Sequence, residues 1–236
     1  MSNQLATNGA CLAETGDNWS AYSLQGAGRE RNSDAFAVFD KDGWQAFAVG
    51  DGVGSMPGSP NASRAAVDAV VESLRSGPLV QVDDLQQVMP SVDRSVVQAL
   101  ASSEGPGATT LAFVVVVRGL ARLLSVGDSE IHAIPAEGES VLLHPVDHVP
   151  AQPNILLAWL DGETSYEAHT HALELENARL CLMTDGIPGA LSNDRIAAVV
   201  RGSAVRDAAR EVVLAARDAG ARDDLTAIVV SASADR

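Results

Sequence analysis

The spacing of apolar and polar positions divides the chain into short strands and a few helices. Residues 19–25 alternate weakly and predict a first strand. Apolar runs at 35–39 and 44–49 flank Asp40-Lys41-Asp42-Gly43, and Asp-Gly between two such runs is a hairpin signal. Beyond Asp51, the stretch GVGSMPGSP is too rich in Gly and Pro for a regular element. Ala62, Ala65, Ala66, Ala69, Val70 and Ser73 then recur with the helical period, predicting a helix over 59–74. A second helix is expected over 83–102, kinked at Pro90 and ended by Glu104-Gly105-Pro106-Gly107. Strands follow at 109–117 and 120–126 around an Arg118-Gly119 turn, with shorter ones at 130–134 and 140–143. Residues 144–171 hold three prolines and mixed polarity and read as a long flap over the body, a kind of loop that is often functional. Strands at 173–175 and 179–183, helices at 193–200 and 203–220, and a strand at 224–231 complete the pattern.

Helices therefore come in blocks rather than after each strand. That argues for a mostly antiparallel α+β architecture and against a doubly wound parallel sheet. With no linker, composition break or repeat, the pattern predicts a short polar tail at 1–18 and one domain over 19–234.

Charge narrows the partners. The 236 residues carry 31 Asp plus Glu against 16 Lys plus Arg, a formal net charge of -15. Lys41 is the single lysine and the arginines are scattered, so no basic stripe offsets repulsion of a nucleic-acid backbone. The best apolar run, 111–117, is far short of the ~20 residues needed to span a membrane. The N-terminus has neither the basic start nor the apolar stretch of a signal peptide. Cys11 and Cys181 suggest no disulfide framework; Cys181, inside LCLM, is expected to be a buried thiol, and a reducing cytoplasm is the default compartment.

One arrangement of acids recurs. Apolar strands run directly into Gly50-Asp51-Gly52, Gly127-Asp128-Ser129 and Thr184-Asp185-Gly186, whereas Asp223-Asp224 precedes the last strand. In an antiparallel sheet the end of one strand lies beside the start of its neighbour, so these acids can converge on one edge. Each Asp-Gly alone reads as a turn. Together at apolar strand ends they read as an all-oxygen cluster, whose repulsion a hard cation such as Mg²⁺ or Mn²⁺ relieves. A second constellation, Gly26-Ala27-Gly28-Arg29-Glu30-Arg31-Asn32-Ser33-Asp34, offers arginine to a phosphate or is simply a polar turn.

Taken in order, GRERNSDAF (28–36), FAVGDGVGS (47–55), GATTLAF (107–113), LLSVGDSEIHAI (123–134), the Asp147-His148 pair, NILLAWLDG (154–162), LCLMTDGIPGAL (180–191) and ARDDLTAIVV (221–230) resemble the metal-dependent protein phosphatase family, the type 2C serine/threonine phosphatases, in its short bacterial form. The resemblance implies an α+β fold with a central β-sandwich of two antiparallel sheets flanked by pairs of helices, a four-layer αββα arrangement. It implies two core Mn²⁺ or Mg²⁺ ions, and direct attack of the water bridging them on phosphoserine or phosphothreonine. It also implies phosphoprotein substrates within a bacterial serine/threonine kinase pathway. Asp51 would bridge both ions, Asp185 and Asp223 would complete one, and the Gly52 carbonyl would join the other. Asp34 would hold a metal-bound water and Arg29 the substrate phosphate. Asp128 with Asp185 would hold a third, weaker ion.

Three positions depart from the family pattern. Ser33 stands where Glu or Gln is usual, Gly189 where many members have Asp, and Val53 where eukaryotic members have a histidine proposed as general acid. Rival readings are a catalytically weak or inactive module that binds phosphoproteins, a nucleotide loop at Gly50-Asp51-Gly52-Val53-Gly54, and a zinc site from His144, His148, His169 and His171. An acid at the loop's centre is wrong for cradling phosphate. The histidines, which no Cys pair accompanies, read as solvated surface.

Overall fold

Long apolar runs such as LAFVVVV at 111–117 have no polar face, which means that such a strand must be covered on both sides. The computed structural model, which describes residues 11–41, 43–54, 56–75, 85–149 and 152–232, shows how. Strands β1 (Cys11–Thr15), β2 (Trp19–Leu24), β3 (Ala35–Lys41), β4 (Trp44–Gly50), β5 (Leu111–Val117), β6 (Leu120–Val126), β7 (Glu130–Pro135) and β8 (Val141–Leu142) are followed by β9 (His148–Val149), β10 (Gln152–Leu156), β11 (His169–Glu174), β12 (Ala178–Met183) and β13 (Leu225–Ser231). They form a six-stranded sheet in the order β1-β2-β13-β12-β7-β8, a five-stranded sheet in the order β11-β6-β5-β4-β3, and a small β10-β9 pair. Every pairing is antiparallel.

Alternate residues of each central strand enter different cores, as the two-residue side-chain period demands. Phe47 and Val49 of β4, Val114 of β5, Ile131 of β7, Leu180 of β12 and Ile228 of β13 share the core between the sheets. Ala46, Ala48 and Phe113, one step out of phase, pack under helices α1 (Ser59–Leu74) and α2 (Met89–Ala101). On the opposite face Cys181, Val229 and Ala227 meet α3 (Asn193–Gly202) and α4 (Val205–Asp218). The result is the four-layer αββα sandwich. Trp19 ties its two halves together: its ring meets Phe47 edge-on at 5.8 Å, and its Nε1 donates to Asp40 Oδ2 at 2.8 Å.

Several elements lie where the pattern places them, including α1, the β3–β4 hairpin and the β5–β6 hairpin, whose turn holds Arg118 and Gly119 at φ 51° and 78°. Four differ. Pro90 sits in the first turn of α2 and starts that helix instead of kinking it, because a proline there gives up no helical hydrogen bond; residues 83 and 84 lie outside the described residues. The supposed N-terminal tail contributes β1, an exposed edge strand held by backbone pairing with β2, with only Leu12 turned toward the inter-sheet core. The third concerns 144–171, which holds the β9–β10 hairpin and then a connection stitched to the body. Thr109 and Leu160 exchange backbone hydrogen bonds, and Tyr166 Oη donates to Asp93 of α2 at 2.9 Å. Finally, β11 begins at His169, earlier than the expected strand at 173–175.

This topology aligns the acid-bearing ends. Strands β4 and β6 both flank β5 antiparallel and so run the same way, ending at one edge in Asp51 and Asp128. That edge depends on an intact inter-sheet core. Phe47→Ala, at a fully buried ring, is expected to cost about 3–5 kcal/mol of unfolding free energy in urea denaturation. A loss below about 1 kcal/mol would show that the sandwich does not rest on this contact.

Candidate metal centre

Asp51 leaves the end of β4, Asp128 follows β6 and Asp185 follows β12, and one carboxylate oxygen from each lies within 4.8 Å of the others. The turns carrying them are pinned by hydroxyls. Thr110 Oγ1 accepts the Asp51 N–H at 3.0 Å and bonds Ser129 Oγ at 2.7 Å, so one threonine links two acid-bearing turns. Close backbone approach does the rest: a Cβ on Gly52 would stand 2.7 Å from the Ser33 carbonyl oxygen, which accepts the Gly52 N–H.

Asp34 lies near enough to this trio for its charge to act on Asp51. Its Oδ2 accepts from Thr184 Oγ1 at 2.8 Å, while its Oδ1 is buried with no hydrogen-bond partner. Arg29 lies on the Gly26–Ser33 loop, with its guanidinium paired to Asp223. That loop is held by Asp224, whose Oδ1 accepts from Gly26 N at 2.6 Å and Oδ2 from Ser33 N at 2.8 Å. A cleft of about 420 Å³ opens from Asp185 and Asp223 between Gly189 and Arg222, in space that a side chain at Gly189 would narrow.

The electrostatics are those of acids short of positive charge. Burial, reinforced by the charge of Asp224, pushes Asp34 up to about 8. Burial and the charge of Asp185 push Asp128 up to about 7. Asp51 is raised by burial and by Asp34 and Asp185, and Asp185 chiefly by burial. Two carboxylates as close as those of Asp51 and Asp185 repel unless a proton or a cation offsets their charge. An orphaned buried oxygen on Asp34 and three converging carboxylates form a donor set of oxygens alone, and it fits hard divalent cations.

The predicted residues divide accordingly. Asp51, Asp128 and Asp185 come together, with Gly52 next in the chain to Asp51 and Asp34 near enough to act on Asp51. Asp223 is turned to Arg29 and is not one of the trio, although its charge reaches Asp185. Asp128, which the resemblance gives only to a weaker third ion, stands with the two principal acids. The histidines do not gather. His144 is buried, its Nε2 accepting from Ile131 N at 3.1 Å and its Nδ1 facing the Pro145 carbonyl at 2.7 Å, so it is a satisfied structural residue and not solvated surface. Sequence reasoning left Asp224 and Thr184 without roles. The Asp223-Asp224 doublet was the visible signal for the first, and no pattern marked the second.

The raised acids fix a sign for the metal-free protein. Folded Asp34 and Asp128 keep their protons to about 8 and about 7, whereas in the unfolded chain they ionise near 3.8. Across that window the folded state binds more protons, so stability falls as pH rises. Thermal unfolding in chelator is expected to show Tm decreasing from pH 5 to 8, with Mg²⁺ or Mn²⁺ restoring it most at the alkaline end. A Tm that climbs with pH in chelator contradicts this assignment.

Comparison with known proteins agrees with the geometry. The family model described as protein phosphatase 2C matches residues 27–229. No curated protein matches the sequence. Among solved structures, a bacterial serine phosphatase superposes with a TM-score of 0.82 at 16% identity, over 92% of this chain and 98% of that one. The S. agalactiae serine/threonine phosphatase gives 0.79 at 21%, over 90% and 98%. The PPM Ser-Thr phosphatase MsPP from Mycobacterium smegmatis, in complex with cacodylate, gives 0.77 at 22%, over 90% and 97%. With the model spanning most of its length and its strand-end acids gathered at one edge of the sandwich, the chain belongs to the protein phosphatase 2C family and is a protein phosphatase by that membership.

Proposed function

We propose that the protein is a Mg²⁺- or Mn²⁺-dependent hydrolase of phosphoserine and phosphothreonine in proteins, acting in a bacterial cytoplasm against serine/threonine kinases. The observation that carries the reading is the Asp51-Asp128-Asp185 cluster beside Arg29. Similar folds among bacterial serine/threonine phosphatases, unpaired Cys11 and Cys181, and the absence of any helix among the described residues long and apolar enough to cross a membrane support it.

Asp51, Asp185 and Asp128, with the Gly52 carbonyl and Asp223, would hold the ions, and Asp34 would orient water at their edge. Divalent cations in such a site supply water of lowered pKa and neutralise charge on the phosphoryl group. Arg29 would grip the phosphate oxygens and stabilise their charge through the transition state. Asp224 would keep the Arg29 loop in place through the two N–H groups it accepts. Val53 and the small residues after it leave no side-chain acid there, so solvent would protonate the leaving serine or threonine oxygen.

Turnover of phosphothreonine peptides is expected to need Mn²⁺ or Mg²⁺ and to stop with chelator, with phosphotyrosine peptides poor substrates; full activity in EDTA would sink the reading. Asp185→Asn and Asp223→Asn should each lower the rate at least ~100-fold, since each removes a charged ligand; near-normal turnover would remove that residue from the ligand set. Arg29→Ala should raise KM more than it lowers kcat. Unchanged constants would mean that Arg29 does not hold the phosphate.

A further inference from the structure

The Asp147-His148 pair is a matched motif with no role in the chemistry above, and the structure shows what its aspartate touches. Asp147 grips Gly127, the residue before Asp128, from both sides. Its Oδ2 accepts the Gly127 N–H at 3.0 Å, and its own N–H donates to the Gly127 carbonyl at 3.1 Å. Its other carboxylate oxygen, Oδ1, lies 2.8 Å from His169 Nε2 on β11. Its carbonyl accepts the Leu157 N–H at 2.8 Å, closing the base of the β9–β10 hairpin. Gly127 can be held in this way because it adopts φ +98°, with Thr110 packed where a side chain would stand. The turn is thus fixed by Thr110 on one side and Asp147 on the other, and Asp128 projects from between them.

We propose that Asp147 is a positioning residue that holds Asp128 in its place among the metal-binding acids and makes the β9–β10 hairpin part of the same rigid unit. This rests on the proposed reading of Asp128 as a ligand. Asp147 is not one of the trio; it sets the backbone from which Asp128 projects. The hairpin carries two exposed apolar residues, Ile155 and Leu157, 46% and 59% exposed.

The test counts bound Mn²⁺ by electron paramagnetic resonance on the full chain, and follows amide exchange in the metal-free protein. In wild type the Gly127 N–H is expected to be protected; an unprotected Gly127 overturns the proposal without any variant. Asp147→Ala should speed exchange at Gly127 and weaken the weakest Mn²⁺ site about tenfold or more, the usual effect of losing a group that orients a ligand. Asp147→Asn keeps an acceptor for Gly127 and should return most of that affinity, which a merely structural role would not predict. Asp128→Asn should weaken the same site, and adding Asp147→Ala to it should cost little more. Wild-type Mn²⁺ binding by Asp147→Ala alongside weakened Asp128→Asn refutes the positioning role and leaves the ligand reading intact. Undiminished binding by Asp128→Asn refutes the ligand reading and the inference with it.

Discussion

Repulsion among buried carboxylates is the constraint around which this molecule is organised. Asp34 and Asp128 are 7% and 6% exposed, and Asp51 and Asp185 crowd against them. Such a cluster costs stability unless protons or cations offset it. A scaffold that tolerates it must be stable elsewhere, and here that stability comes from three stacked apolar cores, with the acids confined to a single edge. The same confinement makes the edge useful, because strands ending together deliver their acids together.

The acids are held in place mostly by groups that are not ligands. Asp224 clamps Gly26 and Ser33, Thr110 links the turns of Asp51 and Asp128, and Thr184 both donates to Asp34 and accepts the Thr226 N–H at 3.1 Å. Each is a short polar side chain bonded to a neighbouring turn, and short side chains lose little rotamer freedom when fixed. An acid cluster held in this way is pre-organised, and the mutual repulsion of its carboxylates is what a divalent cation would relieve.

The chemistry was more legible in the sequence than its support. Asp51, Asp128 and Asp185 each follow an apolar run and precede a small residue, a local pattern that survives in one dimension. So do the 3.6-residue spacing of α1 and the turn residues of the hairpins. The contact from Asp224 to Gly26 joins residues 198 apart, and that from Thr184 to Asp34 residues 150 apart; no window along the chain contains either. Strand β1, inside the expected polar tail, escapes the pattern for a different reason. As an exposed edge it has no buried face to imprint alternation, and backbone pairing with β2 leaves no trace in side-chain type. Three prolines near His144 suggest an open flap, yet its two ring nitrogens are satisfied by backbone groups on either side.

The acidic balance of the chain takes on a narrower meaning in this light. A charge of -15 spread over the surface disfavours nucleic acid, yet the acids that matter are few and lie where cations would reverse the local sign. Arg29, about a quarter exposed and paired with Asp223, stands at the boundary between the two regimes. Asp223 and the Asp224-held loop fix where its guanidinium points, and a Lys on a looser stem would not reproduce that fork. On the proposed reading, phosphate recognition by so acidic a protein is local: it would depend on one oriented arginine and an acid cluster that calls for cations, so that the acids elsewhere need not oppose it.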